Sequence, residues 1–296
     1  MRKARYAGLA VKVALFYCSA AGVCQSLHAQ SETRFRLLNS TIVIVSLAAN
    51  GQGPFDFVLD TGTDTTIIDP TLAQQLSLAA IDRIQINTLA GSQMLTRSSV
   101  GTLAMGTSRA ENVEVLVQDV PELHALDSHI RGIAGQNFLS HFNYLLDYRK
   151  RSLRLEIASE VEHALEGDRV PLEVRDNKMI VSSDVQGRET VRLRLLLDSA
   201  SNSVILIRKA DRVGSPFQAA SVTTAGAEQA GMQMAPVRSL TVGSQQFRDL
   251  PVGISRDTPE DAARVEDGLL PTALFQSVYI NNRNGFVVFN PRMKKN

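Results

Sequence analysis

Two aspartates stand in matched surroundings 138 positions apart. Asp60 ends an apolar run in FDFVLDTGTDTTIID, and Asp198 ends another in LRLLLDSASNSVILI. Each is followed by a hydroxyl residue and a small one, Thr61-Gly62 and Ser199-Ala200, then by a second hydroxyl, Thr63 and Ser201. Taken singly, an Asp at the end of an apolar strand is either a turn former or a functional group, since a charge at the edge of a core is costly. The same turn made twice suggests two carboxylates brought together by an internal duplication. Two carboxyl groups within hydrogen-bonding distance cannot both ionise easily, so they share a proton over a wide pH range. One can then take a proton while the other gives one, with no metal and no covalent intermediate required.

The elements that must position this pair read as short strands. Phe55, Phe57 and Leu59 alternate with the period of a half-buried strand. Ile42–Leu47 precedes them across the hairpin turn Asn50-Gly51-Gln52-Gly53. Pro70–Leu78 reads as a short helix capped by Asp69. Hairpin tips are expected at Thr88–Ser92 and Thr223–Gly226, and apolar glycine segments at Gly132–Gly135 and Gly268–Pro271. Residues 158–168, polar and Glu-rich, read as a linker. Asp60 to Asp198, Thr88 to Thr223 and Gly132 to Gly268 are separated by 138, 135 and 136 positions. Three landmarks in one order at nearly one spacing indicate a two-unit repeat, far longer than a solenoid period. The expectation is an all-β protein of two duplicated lobes, residues 30–160 and 161–296, with little helix.

The 296 residues hold 44% hydrophobic and 21% charged side chains, the balance of a globular protein. A net charge of +1 without a basic run argues against nucleic acid. The first 29 residues read as a secretory signal peptide: Arg2, Lys3 and Arg5, then the apolar run Val13–Cys24, then Leu27-His28-Ala29 before a cut. That run is short for a bilayer span, so export is expected, periplasmic or secreted, with an uncleaved membrane anchor or lipidation at Cys24 as the alternative. Cleavage would take four of the 31 basic residues and both cysteines, leaving 27 basic against 30 acidic residues and no disulfide.

On these motifs the chain resembles the aspartic protease superfamily, in its bacterial retropepsin-like branch, over essentially residues 35–290. The resemblance implies two aspartic-protease-like β lobes with the active site in the cleft between them. It makes Asp60 and Asp198 the catalytic pair, and Thr61 and Ser199 the residues that bond across the lobes. It places Gly62 and Ala200 in the tight turns, and Thr63 and Ser201 where a hydroxyl meets the outer carboxylate oxygens. The tips at Ala90-Gly91 and Ala225-Gly226 become flaps over a bound peptide, and Gly132–Gly135 the segment that threads beside the first Asp loop. Ala200 and Pro271 stand where the family has glycine, and the first flap lacks a Tyr. The implied partner is a peptide or protein substrate, cleaved by one chain acting as a monomer without a cofactor. The implied chemistry is a water activated by one carboxylate while the other protonates the scissile carbonyl.

Competing constellations are thin. His124, His129, His141 and His163 lack metal spacing, no G-x-S-x-G elbow exists, and Gly51-Gln52-Gly53 precedes a strand rather than a phosphate-binding helix. Beside the endopeptidase stand two other readings: an inactive relative that binds peptide or another ligand in the cleft, and a structural envelope protein.

Overall fold

The computed structural model describes residues 31–88, 91–156, 160–213, 218–224, 227–255 and 264–294. Residues 1–30, which include the expected signal peptide, and the tip residues Ala90, Ala225 and Gly226 lie outside them. Ile42–Ala49 and Gln52–Leu59 form the first hairpin. Asn50 and Gly51 turn it with φ of 49° and 74°, the left-handed pair whose twist matches the flanking strands. The inward residues Val43, Val45, Leu47, Phe57 and Leu59 are all buried, as the period-two pattern requires.

Each lobe is an eight-stranded sheet, and the two sheets have the same strand order. The first runs Arg36–Leu38, Ile42–Ala49, Gln52–Leu59, Ile130–Ala134, Thr66–Ile68, Ser108–Val117, Gly91–Met105, Asp82–Thr88. The second runs Glu173–Arg175, Lys178–Gln186, Thr190–Asp198, Gly268–Pro271, Ile205–Leu206, Gln245–Ile254, Ala227–Val242, Gln218–Thr224. In both, the second strand also pairs with the long seventh one and folds the sheet over its own core.

One threading detail positions the carboxylates. Gly132–Ala134 lies parallel to Phe57–Leu59 on one side, while Ile133 and Gly132 pair antiparallel with Ile67 and Ile68 on the other. Gly268–Pro271 is held in the same way between Leu195–Asp198 and Ile205–Leu206. The squeeze leaves no space for a side chain at its entry. A Cβ on Gly132 would lie 2.1 Å from the Ile67 carbonyl oxygen, and one on Gly268 would lie 2.2 Å from that of Ile205. Gly132→Ala should therefore lower the unfolding free energy by about 2–4 kcal/mol through backbone displacement. A urea midpoint unchanged from wild type would contradict this account.

A third sheet joins the halves. Its six antiparallel strands run Ser31–Arg34, Ser152–Glu156, Asn143–Asp147, Ser277–Asn281, Phe286–Phe289, Arg169–Pro171. At its centre Tyr144 faces Ile280 and Leu146 faces Val278, so the two halves share one hydrogen-bonded ladder. A single apolar cluster runs from Leu47 and Phe57 through Leu146 and Val278 to Leu195 and Leu240.

Two local expectations are corrected. The presumed linker is packed: Glu160–Ala164 is helical, and Leu165–Glu166 pairs with Arg292–Met293. Val161 and Leu165, one helical turn apart, are buried with Tyr279 and Phe286 among the polar residues that disguised them. Pro121–Leu126 is a helix that the strand-dominated reading omits, with Pro121 in its first turn. By contrast Pro70–Gln75 is helical, and Asp69 Oδ1 accepts from the Leu72 N–H at 2.8 Å. No helix among the described residues is long and apolar enough to cross a membrane.

Candidate active site

The two Asp turns meet where the lobes touch. Thr61 N–H donates to Ser199 Oγ at 3.0 Å, and Ser199 N–H donates to Thr61 Oγ1 at 3.1 Å. Each hydroxyl then crosses to the strand before the other aspartate: Thr61 Oγ1 donates to the Leu197 carbonyl at 2.9 Å, and Ser199 Oγ to that of Leu59 at 2.7 Å. Both residues are fully buried. These four reciprocal bonds fix the separation and orientation of the two loops.

Between them lie Asp60 and Asp198, only 2% and 5% exposed. The charge of Asp60 acts directly on Asp198, and the two carboxyls flank Gly62. Asp60 Oδ1 accepts from the Gly62 N–H at 2.8 Å, and Oδ2 accepts from Thr63 Oγ1 at 2.7 Å. Asp198 Oδ1 accepts from the Ala200 N–H at 2.7 Å. Gly62 suits this approach: a Cβ there would lie 3.0 Å from Asp198 Cγ and 3.2 Å from Asp60 Oδ1, tighter than ordinary contact.

The pair is electrostatically unequal. Burial pushes both carboxyls above the ordinary range. For Asp60 the Thr63 hydroxyl and the Gly62 and Thr63 amides oppose that rise. For Asp198 burial is reinforced by the charge of Asp60 and opposed only by two backbone amides, so it is raised further. With the Thr63 hydroxyl and the Gly62 amide as donors, Asp60 is the better-supported anion of the two, and Asp198, with the Ala200 amide, is the better-supported proton holder. Thr63→Val removes a donor that favours the ionised form. The acid limb of the pH–rate profile should then move to higher pH, and the peak rate should fall on the order of tenfold, the equivalent of about 1.4 kcal/mol. An unmoved acid limb would remove Thr63 from this role.

Ser201 corrects the sequence reading. Its hydroxyl does not reach the outer oxygen of Asp198 but donates to the Ser203 carbonyl at 2.9 Å, closing a turn of its own. Only its backbone N–H serves Asp198. Ala200 is accommodated: it does not have positive φ, and its methyl belongs to the first lobe's apolar cluster with Val58, Ile130 and Ile133. The methyl is thus lobe-to-lobe packing.

Pro271 is matched by a change opposite it. In the first lobe the Gly135 N–H donates to Thr66 Oγ1 at 3.2 Å, and Thr66 donates in turn to Asn137 Oδ1 at 2.7 Å. Register places Val204 and Ala273 where the first lobe has Thr66 and Asn137. Pro271 lacks the donor, and Val204 lacks the side-chain acceptor, so the loss on one strand is matched by the loss on the other. The Thr66–Asn137 brace went unassigned in the sequence, although Asn137 was visible directly after the glycine segment.

Gly91 opens its strand paired with Thr88, as a hairpin tip requires, whereas Ala90, Ala225 and Gly226 are outside the described residues. Among the described residues no group of His, Asp and Glu is placed to hold a metal ion. A hollow of about 940 Å³, lined by Asp147, Lys150, Glu166, Asp168 and Arg292 among others, includes no residue of the dyad.

Residues 45–138 match the aspartyl protease family. Among solved structures, an aspartic proteinase from Irpex lacteus is 11% identical, with 88% of this chain and 97% of that one covered at a TM-score of 0.53. A retropepsin-like aspartic protease from Rickettsia conorii is 18% identical over 42% of this chain and 89% of its own, at a TM-score of 0.32. No curated protein sequence matches the chain.

Proposed function

We propose that this chain, which has the fold of the aspartic protease superfamily and whose first lobe matches the aspartyl protease family, is an endopeptidase. The observation that carries the reading is the dyad itself: two buried carboxyls from separate halves that flank Gly62, with unequal donors. A water held between them loses a proton to Asp60, and its oxygen attacks the scissile carbonyl carbon. Asp198 gives its proton to the carbonyl oxygen, forming a tetrahedral diol. Collapse of the diol returns one hydroxyl proton to Asp198, and the amide nitrogen leaves as an amine with the proton that Asp60 took. An extended peptide lies in the cleft and adds a strand to the flap edges.

The shared strand order and the constant spacing of the two halves support an internal duplication. With both carboxylates in one chain, a monomer suffices. The basic start and apolar run of residues 1–29 support export, with an N-terminal anchor as the variant form. The inactive-relative reading rested on Ala200 and Pro271; the packed Ala200 methyl and the regular register of Pro271 with Asp198 favour the endopeptidase over it. The test is incubation with a mixed peptide library, with and without a statine-type transition-state mimic. Internal cleavage stopped by the mimic supports the endopeptidase, and binding without turnover supports the relative.

A further inference from the structure

Beneath the dyad the two halves are cross-linked a second time. Thr272 follows Pro271, the residue in register with Asp198. It is fully buried, and its Oγ1 lies 2.7 Å from the Tyr148 hydroxyl. Tyr148 belongs to the other half: it follows the strand Asn143–Asp147, and its ring packs edge-on against Phe35 at 6.0 Å. The mirror position holds a matching link. Gln136 follows Gly135 and donates from Nε2 to Asn282 Oδ1 at 3.0 Å, and Asn282 follows the strand Ser277–Asn281. Each half thus sends one side chain from the shared sheet to the residue after the other half's glycine segment. The link under Asp60 is between two amides, and the link under Asp198 is between two hydroxyls.

The surroundings of Asp198 give the second link its weight. Ala200, Val204, Pro271 and Ala273 replace the polar or smaller groups found near Asp60, and Ser201 turns away. Charged or titratable groups facing Asp198 are Asp60 from the opposite lobe and the Tyr148 phenol from the sheet, with Asp64 beyond Asp60 at the exposed rim. Burial holds that phenol far above its ordinary range, so it stays neutral and acts as a dipole.

We infer that Tyr148 is a positioning residue for Asp198, holding Thr272 and Pro271 against it and supplying a polar group on its buried side. The inference rests on the endopeptidase reading for its kinetic consequence but not for its titration. Tyr148→Phe leaves the Thr272 hydroxyl without its partner, so the double variant Tyr148→Phe/Thr272→Val, which removes both polar atoms at nearly constant volume, is made beside it.

Without the hydroxyl the ionised form of Asp198 is less well solvated, and its titration moves upward. In both variants the carboxyl ¹³C titration of Asp198 and the basic limb of kcat/KM should shift to higher pH. In both, kcat should fall about tenfold with KM held within about twofold, the signature of a misplaced catalytic group. Asn282→Ala, which cuts the mirror link, should lower stability and leave the Asp198 titration where it was. A shifted titration in a protein that cleaves no peptide would sustain this inference and defeat the endopeptidase reading. Normal turnover with Asp198 titrating identically in wild type and both variants would overturn the inference and leave the endopeptidase standing.

Discussion

On the endopeptidase reading, Asp60→Asn and Asp198→Asn should each lose at least about 10⁴-fold in kcat/KM, because either amide ends the exchange of one proton between two oxygens. Both variants fold, since an amide carbonyl still accepts from the Gly62 or Ala200 N–H. Their stabilities separate them from a general loss of structure. Asp198 is held above its ordinary range, so the folded chain keeps a proton that the unfolded chain releases as pH rises. That difference favours unfolding from the ordinary carboxylate range up to the folded value, and it is absent at lower pH. Asp198→Asn should therefore melt above wild type at neutral pH, with the gap closing as pH falls toward about 4. Thermal melts at several pH values, read beside peptide turnover, check both halves of the expectation. Retained turnover in either variant would end the dyad mechanism.

The second large effect belongs to the residues between the carboxylates. Thr61→Ala/Ser199→Ala removes both hydroxyls and with them all four cross-lobe bonds, stranding the buried Thr61 and Ser199 amides and the Leu59 and Leu197 carbonyls. At about 1–3 kcal/mol for each buried group left without a partner, partly relieved by relaxation, the expected loss is about 4 kcal/mol. Activity should fall further than the folded fraction does, since about 1 Å of misplacement costs on the order of 10²-fold in rate. Urea unfolding together with kcat measured on the folded fraction tests this. A destabilised protein with unaltered kcat would show that the loops hold their places without the grip.

Much of this was legible in the chain. The period-two runs, the Asn-Gly turn, the Asp69-Pro70 cap and the glycine segments are local signals, and each is where those residues had to put it. The pairing of Asp60 with Asp198 was legible because a turn repeated at constant spacing is long-range information written twice. Ser201 misled for the same reason. Its place in the repeat matched Thr63, but Ser203 two residues on offers its hydroxyl a nearer acceptor, and no repeat encodes that competition. The Val161/Leu165 face lay within a charged stretch whose composition outweighed its spacing. Tyr148 with Thr272, and Gln136 with Asn282, are 124 and 146 positions apart and left no local mark. They follow only once the six-stranded sheet has placed them.

That sheet also sets an order of events on the ribosome. Asn143–Asp147 hydrogen-bonds on one side to Ser277–Asn281, a strand that begins 134 positions later in the chain. Until those late residues emerge, the nascent amino-terminal half carries a bare edge and its share of a divided core, the situation in which growing chains recruit holdases or aggregate. A ribosome stalled before residue 277 would present both acidic loops with no ladder to bring their halves together, so the two loops can be clamped against one another only after that strand has been made.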